Sequence, residues 1–124
     1  MSEPPQFQAE PFGGVEDASR SLSAPSYLIL VSLAARPLHG YRIMMIVNDV
    51  FRAGFKLHAG TLYRTLQRLM ELGLIDEVEE YDGEDERRRA YRMTPAGHEA
   101  VRQEIRRLEL LARIGKAQLT SPIS

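Results

Sequence analysis

A stretch of sixteen residues, GTLYRTLQRLMELGLI at 60–75, carries side chains that can form directed hydrogen bonds. Leu62, Leu66, Leu69 and Met70 recur with the 3.6-residue period of an α-helix and form an apolar stripe. The remaining surface then holds a phenol, two guanidinium groups and an amide, from Tyr63, Arg64, Gln67 and Arg68. Guanidinium and amide groups form paired hydrogen bonds with purine bases, and cations neutralise phosphates. The pattern indicates a helix with one buried face and one face suited to nucleic acid.

Two helices are predicted upstream of this stretch. The first begins near Pro25 or Ser26 and stops before Pro37, because proline fits the first turn of a helix and disfavours its continuation. It is apolar nearly all round, which predicts a central position. The second runs over about 39–52 and ends at Gly54. Its predicted inward residues are Ile43, Ile46, Val47, Val50 and Phe51.

The quoted helix is the third, and Gly73 is placed to end it in the left-handed conformation. Residues 74–81 then carry β-branched and aromatic side chains, Asp82-Gly83 supplies a turn, and 88–93 can pair back as a second strand. Thr94-Pro95 reads as an N-cap and first-turn proline that open a long final helix. The predicted fold class is mainly α with a small β-hairpin: a winged helix-turn-helix plus a C-terminal dimerisation helix.

In a winged helix-turn-helix the third helix enters the DNA major groove, which predicts base or phosphate contacts from Tyr63, Arg64 and Gln67. An alternative for Tyr63 is a half-buried ring that packs at the domain surface. Lys56 and Arg68 lie near the edge and are expected to neutralise phosphates. The backbone N–H groups around Gly60 and Thr61 can hold a further phosphate.

Composition limits the classes of protein. The chain has 124 residues, 44% of them hydrophobic, which suits one compact domain with a limited core that a partner subunit could extend. The absence of cysteine excludes disulfides, thiolate metal sites and cysteine nucleophiles. The start has no signal-peptide pattern, and the strongest apolar run, 27–35, is far shorter than the roughly 20 residues of a membrane span. A cytoplasmic protein without a membrane partner is expected.

The formal net charge is -1, yet the charges are segregated along the chain. Residues 36–70 hold six bases and one acid, whereas 71–86 hold nine acids and neither Lys nor Arg. Arg87, Arg88, Arg89 and Arg92 follow within six residues. A locally cationic face can bind a polyanion although distant acids cancel the total, because salt screens charges beyond roughly 8–10 Å.

Three motifs together resemble the PadR family of bacterial transcriptional regulators: HGYRI at 39–43, GTLYRTLQRLMELGLI at 60–75 and RRRAYRMTPAGHEAV at 87–101. The resemblance spans about 24–119 and implies a homodimeric winged-helix repressor on a palindromic operator in double-stranded DNA. It places Tyr63 and Arg64 in the recognition helix and Arg87, Arg88 and Arg89 in the basic part of the wing. Tyr41 and Arg42, in the first motif, complete the candidate DNA-binding residues.

Two features depart from the family pattern. His58-Ala59 stands where members commonly have a small polar residue, so capping of the third helix is expected to use Thr61 or an unusual geometry. The acidic run DGEDE at 82–86 would repel DNA phosphates, so it either points away or the wing contributes little. For Arg87 to Arg89, the alternative to DNA contact is a set of ion pairs with Glu77, Glu79 and Glu80 on the neighbouring strand.

The final helix carries a coiled-coil-like seam of Val101, Ile105, Leu108, Ala112, Gly115 and Leu119. Leu110, Leu111 and Ile114 widen the seam, which predicts packing on the first helix as well as on a second subunit. The predicted dimerisation residues are Val101, Ile105, Leu108, Leu111, Ala112 and Leu119. The resulting organisation is a flexible N-terminal tail (1–23), a DNA-binding domain (24–93), a dimerisation helix (94–119) and a short tail (120–124). Two-fold symmetry then predicts an inverted-repeat site.

Other function classes find little support. His39, His58 and His98 are far apart and lack cysteine, which disfavours a metal site, and no catalytic motif or cofactor-binding loop is present. A small-molecule effector between subunits, implied by some relatives, stays open, although the chain has no tryptophan and no aromatic residue after Thr94. The competing hypothesis is a winged-helix protein-interaction module whose cationic face binds an acidic protein.

Overall fold

The computed structural model of the chain describes residues 21–82 and 86–124, without the side chains of 80–88. Its elements, in order, are α1 (Ala24–Ser32), β1 (Leu38–His39), α2 (Gly40–Met45) with a π-helical continuation (Ile46–Phe51), α3 (Ala59–Glu71), β2 (Ile75–Asp82), β3 (Glu86–Met93) and α4 (Pro95–Thr120). The predicted fold class is confirmed: helices dominate, and a small antiparallel sheet lies beside them. The predicted turn at Asp82-Gly83 and most of the predicted tail lie outside the described residues.

Two helices begin with a first-turn proline, as the sequence predicts, and with a side-chain cap that was predicted for Thr94 but not for Ser23. The Ser23 side chain accepts a hydrogen bond from the Ser26 N–H at 3.2 Å, with Pro25 in the first turn of α1. Thr94 caps α4 in the same way, accepting from the Gly97 N–H at 3.0 Å. α1 ends at Ser32, a turn earlier than predicted, and an irregular segment leads to β1.

Gly73 ends α3 as predicted, with a φ of 76° in the left-handed region. Its N–H donates to the Met70 carbonyl at 3.0 Å, and the Leu74 N–H donates to the Leu69 carbonyl at 2.9 Å. These two bonds form a Schellman motif, and the side chains of Leu69 and Leu74 are both buried. The motif turns the chain from α3 directly into β2.

The second helix differs from the prediction in its last turn. Residues 46–51 form a π-helix, and the left-handed residue that ends it is Arg52 (φ 51°), two residues before the predicted Gly54. The prediction that Val50 faces inward is wrong, because its side chain is 67% exposed. In a π-helix the backbone hydrogen bonds join residues five apart, so each residue turns the chain through a smaller angle about the helix axis. This smaller angle places Val50 outside while Val47 stays in the core.

The sheet has a strand that the sequence pattern did not predict. β1 pairs antiparallel with β3, matching Leu38 with Tyr91, and β3 pairs with β2, matching Met93 with Ile75, so the order is β1-β3-β2. A strand of two residues is too short to show an alternating pattern. It ties the chain just before α2 to the wing, which we define as β2 and β3.

The core surrounds α1, whose central position is confirmed by its packing against α2, α3 and α4. Ile29 and Leu30 of α1 are fully buried, as are Ile43 of α2 and Leu62 of α3. The core also includes Leu22, which lies before α1 and within the segment that the sequence assigns to a tail. The remaining buried core residues are Leu33, Leu38, Val47, Leu57, Leu66, Leu69, Leu74, Ile75, Tyr91, Met93 and Ala100.

Candidate nucleic-acid interface

The two faces of α3 are divided as the periodicity predicts. Leu62, Leu66 and Leu69 are at most 1% exposed, and Met70 packs partly against the core. The four polar residues between them, Tyr63, Arg64, Gln67 and Arg68, are all exposed, and we call them the α3 outer face. Burial of the leucine stripe therefore fixes the rotation of α3 and directs a cationic, hydrogen-bonding surface to solvent.

The outer face opens toward two neighbouring elements. Arg64 and Arg68 line a groove together with residues just before and within the start of α1, including Ser21, Ser23 and Ser26. Tyr63 and Gln67 line a second groove, whose other wall is the wing. The first acid of α3, Glu71, accepts a hydrogen bond from the Gln67 amide at 3.4 Å. Gln67 can exchange this long, exposed contact for another partner at small cost.

The start of α3 has no side-chain cap. His58 occupies the N-cap position with extended backbone, and its side chain makes no capping hydrogen bond. The Thr61 hydroxyl, which the sequence offers as a substitute, instead accepts from Arg64 Nη2 at 3.4 Å. The departure at His58-Ala59 thus leaves the first-turn N–H groups around Gly60 without a side-chain acceptor.

Tyr63 lies across the HGYRI motif. A Cβ placed on Gly40 would stand 2.7 Å from the Tyr63 hydroxyl oxygen and 3.1 Å from Cζ, closer than real Cβ contacts. Tyr63 is nevertheless 53% exposed, so its ring both packs on the domain surface and presents one side to solvent. A side chain at position 40 would therefore displace the end of the Tyr63 side chain, which lies against the α2 backbone there.

The wing side of this groove contains an ion pair. Arg89 Nε lies 2.9 Å from Glu77 Oε2, with the Arg89 side chain 70% exposed. The ion pairing left open as the alternative for the wing arginines is therefore present for Arg89. The backbone of Arg87 and Arg88 lies in β3, and their side chains lie outside the described part of the chain.

Tyr91 closes the floor of the groove and is buried. Burial raises the pKa of its phenol, because the anion would lose hydration, and the negative charge of Glu77 raises it further. The phenol is therefore neutral wherever the protein is folded near neutral pH, and the net charge of the groove comes from Arg89 and its acidic neighbours.

The remaining candidate residues lie in α2 and in the connector before α3. Tyr41 and Lys56 line one groove with His58 and Ala59, and Arg42 is exposed one residue further along α2. Arg42, Lys56 and Arg68 form no ion pair with any residue that the structure describes. The structure thus brings Tyr41, Lys56 and the uncapped helix start together.

Asn48 holds the connector that leads into α3, and the sequence reasoning missed it. Its amide Nδ2 donates to the Leu57 carbonyl at 2.9 Å, and its Oδ1 accepts from the Leu57 N–H at 2.7 Å. These two bonds hold the connector between α2 and α3, one residue before the N-cap His58. The available signal was a polar residue directly after the buried Val47.

Glu104 is a second residue that the sequence reasoning missed. It is 2% exposed, and Arg107 Nη2 lies 2.6 Å from its Oε2. Its Oε1 accepts a hydrogen bond from the Leu22 N–H at 3.2 Å, which joins α4 to the chain before α1. The hydrogen bond to Glu104 raises the pKa of the Arg107 guanidinium. The Glu104–Arg107 pair therefore holds the backbone of Leu22, just before α1, against α4.

The predicted dimerisation residues extend beyond the domain along α4. Val101 packs partly against the core, whereas Ile105, Leu108, Leu111, Ala112 and Leu119 are exposed, with Leu119 at 88%. α4 packs on α1 as predicted, but through its first half; Leu110, Leu111 and Ile114 face solvent. The described chain has buried residues in α4 only up to Glu104.

Two other kinds of site can be checked in the described residues. None of the helices there combines the length and apolar character that a bilayer span requires. Among the side chains that the structure describes, in residues 21–79 and 89–124, no group of three or more His, Asp or Glu could share a metal ion.

Comparison with known proteins adds to this geometry. The model of the transcriptional regulator PadR-like family matches residues 29–103. The chain is 41% identical over 86 residues to the transcriptional regulator Rv3488 of Mycobacterium tuberculosis, a match that covers 68% of this chain and 76% of that protein.

Solved structures share the fold. A PadR family transcription regulator from Clostridium difficile R20291 superposes with a TM-score of 0.70 at 23% identity, covering 78% of this chain and 99% of that one. Bacillus subtilis PadR, solved in complex with operator DNA, superposes with a TM-score of 0.60 at 20% identity, covering 68% of this chain and 48% of that one. At these identities the likeness shows the architecture alone.

Proposed function

The chain belongs to the PadR-like family of transcriptional regulators, and on that premise we propose that it binds double-stranded DNA sequence-specifically as a homodimeric repressor. The observation that carries the proposal is the α3 outer face, where Tyr63, Arg64, Gln67 and Arg68 are exposed on a helix whose rotation is fixed by buried leucines. The Bacillus subtilis relative, which has the same fold and was solved in complex with operator DNA, supports DNA as the ligand.

Each residue of the face has a chemical role in the proposal. α3 has 13 residues, about 20 Å at 1.5 Å per residue, and a helix of this width fits the major groove. Arg64 and Gln67 read base edges, since both can form paired hydrogen bonds with purines. Arg68 and Lys56 neutralise phosphates. The hydroxyl end of Tyr63 lies against Gly40, and the exposed side of the residue contacts the DNA backbone.

Residues around α3 complete the proposed contact. The uncapped N–H groups near Gly60 and Thr61 can donate hydrogen bonds to a phosphate oxygen, helped by the positive end of the helix dipole. Tyr41 and Arg42, which lie in α2, approach the DNA strand that carries this phosphate. On the wing, Arg89 must exchange Glu77 for a phosphate, which costs little because the pair is largely exposed.

The exposed residues of α4 support a second subunit. Ile105, Leu108, Leu111 and Leu119 face solvent on a helix that extends beyond its own domain. Covering roughly 800 Å² per subunit is typical of a specific interface. A two-fold axis through the α4 helices would place the two α3 helices one or more DNA turns apart, which calls for an inverted-repeat operator. Such a regulator would act in the cytoplasm.

The first test is selection of bound sequences from a random double-stranded DNA pool at near-physiological salt. We expect an inverted repeat, and a log–log salt slope of about -5 if roughly six phosphates are neutralised. On the recovered site, Arg64→Ala should weaken binding by about 1–3 kcal/mol and relax the sequence preference. Arg113→Ala, an exposed Arg on α4, is the matched control and should leave the affinity unchanged.

Two outcomes would contradict the proposal. No enrichment from a folded, dimeric sample would favour a protein-interaction module, whose cationic face binds an acidic protein. An Arg64→Ala variant that folds and binds like the Arg113→Ala control would refute the docking through α3.

A further inference from the structure

The chain enters the fold beside the recognition helix. Ser21 and Leu22 line one groove together with Arg64 and Arg68 of the α3 outer face. Residues 1–20 therefore join the described domain at the edge of the proposed DNA-binding surface. Any partner of α3 must approach close to this point.

The entry point is anchored. The Leu22 side chain is buried, and its N–H donates to Glu104 Oε1 at 3.2 Å. Glu104 is itself held by Arg107 at 2.6 Å. Because both the backbone and the side chain of Leu22 are held, the point at which residues 1–20 join the domain is fixed at the edge of the groove.

The charges on the two sides are opposite, since the groove is lined by Arg64, Arg68 and one acid, Glu71. Residues 1–20, which we call the acidic segment, contain four acids, Glu3, Glu10, Glu16 and Asp17, and one base, Arg20, for a net charge of -3. The α3 outer face has two guanidinium groups, and Arg68 forms no ion pair with a described residue. The segment also has Phe7, Phe12 and Val15, and the groove is lined partly by Leu69 and Leu72.

We propose that the acidic segment docks in cis on the side of α3 that carries Arg64 and Arg68, and competes there with DNA phosphates. This inference rests on the proposed function. Reach is sufficient, since 20 residues span up to about 66 Å when extended and α3 is about 20 Å long. A carboxylate bound to either guanidinium removes a group that the proposed complex uses, so the segment lowers the affinity for DNA.

Tethering sets the size of the effect. A short flexible tether holds its ligand at an effective concentration of the order of millimolar. If the free segment binds α3 with a dissociation constant of roughly 0.1–0.5 mM, the cis contact reduces the affinity for DNA about three- to tenfold. The contact is electrostatic and exposed, so salt weakens it.

The test uses the full chain with Glu3→Gln, Glu10→Gln, Glu16→Gln and Asp17→Asn, bound to the selected DNA site. We expect affinity to rise about three- to tenfold at low salt, with the gain shrinking as salt increases. The same four changes in an Arg68→Ala background are the control, because a gain that acts through Arg68 becomes smaller there. No gain, or an equal gain in both backgrounds, would overturn the proposal.

A second measurement does not depend on DNA. A synthetic peptide of residues 1–20 is added to the charge-neutralised full chain, and backbone amide shifts are followed by NMR. Shifts clustered on α3 around Arg64 and Arg68, absent with a peptide carrying the four neutral replacements, are expected. No clustered shifts would overturn the docking even if DNA binding is established. Clustered shifts in a protein that selects no DNA would uphold the docking and remove the proposed function instead.

Discussion

Replacement of Asn48 tests how the recognition helix is held. Asn48→Ala removes two hydrogen bonds, of 2.7 and 2.9 Å, that fix the backbone of Leu57 just before α3. Each such bond contributes about 0.5–1.5 kcal/mol, so the expected loss is about 1–3 kcal/mol. For a domain of this size each kcal/mol lowers Tm by roughly 4–8 °C. Asn48→Ala should therefore melt about 4–24 °C below the native chain.

The matched control is Asp49→Ala, which changes the neighbouring exposed residue of the same π-helical turn. Its Tm should stay close to that of the native chain, because a surface substitution usually changes stability by at most about 0.5 kcal/mol. Thermal unfolding followed by circular dichroism gives both values. DNA affinity of the folded Asn48→Ala protein should also fall, since the connector no longer fixes the start of α3. Equal melting of the two variants would refute the role assigned to Asn48.

Three further predictions concern the groove between α3 and the wing. Glu77→Gln releases Arg89 from its ion pair and should raise the affinity for DNA by up to about fivefold, since an exposed pair contributes about 0.2–1 kcal/mol. Asp76→Asn, which breaks the pair with Arg92, should not raise it, and equal DNA affinities of the two variants would contradict the prediction. Gly40→Ala should displace the ring of Tyr63 and weaken DNA binding more than the smaller Tyr63→Phe change does, as measured by fluorescence anisotropy. Folded Tyr91 keeps its proton above pH 10, where unfolded tyrosine loses it, so stability holds below that pH and falls as pH rises through 10 toward the raised pKa. Chemical unfolding at pH 9 and 11 should show a smaller decline for Tyr91→Phe, and an identical decline would disprove the assignment.

The well-predicted parts of the fold are those governed by local rules. The leucine period of α3, the Thr94-Pro95 start of α4 and the Gly73 stop each depend on residues within one or two turns, and each is confirmed. The predictions for Val50 and for the end of α2 were wrong, because a π-helical turn changes the direction of the side chains without leaving a pattern in the residue types. β1 was missed because a strand of two residues has no period.

The parts of the site that escaped prediction depend on contacts between distant residues. Asn48 binds Leu57 nine positions away, and the Leu22 N–H meets Glu104 across 82 positions. A periodic pattern shows which face of a helix is apolar, but not which residue of another element packs opposite it. The pairing of Arg89 with Glu77 was one open alternative, and the diagonal register of two strands selected it.

The amino-acid sequence by itself determined which residues of α3 face outward, because helical period and hydrophobic burial leave only one rotation that covers Leu62, Leu66 and Leu69. It also determined where α4 starts, since capping is local. Only the tertiary structure decided what surrounds that face: Gly40 beneath the Tyr63 ring, the wing along one side, and the entry of the chain beside Arg64 on the other. Those neighbours come from separate elements, and their positions follow from packing in three dimensions rather than from spacing along the chain.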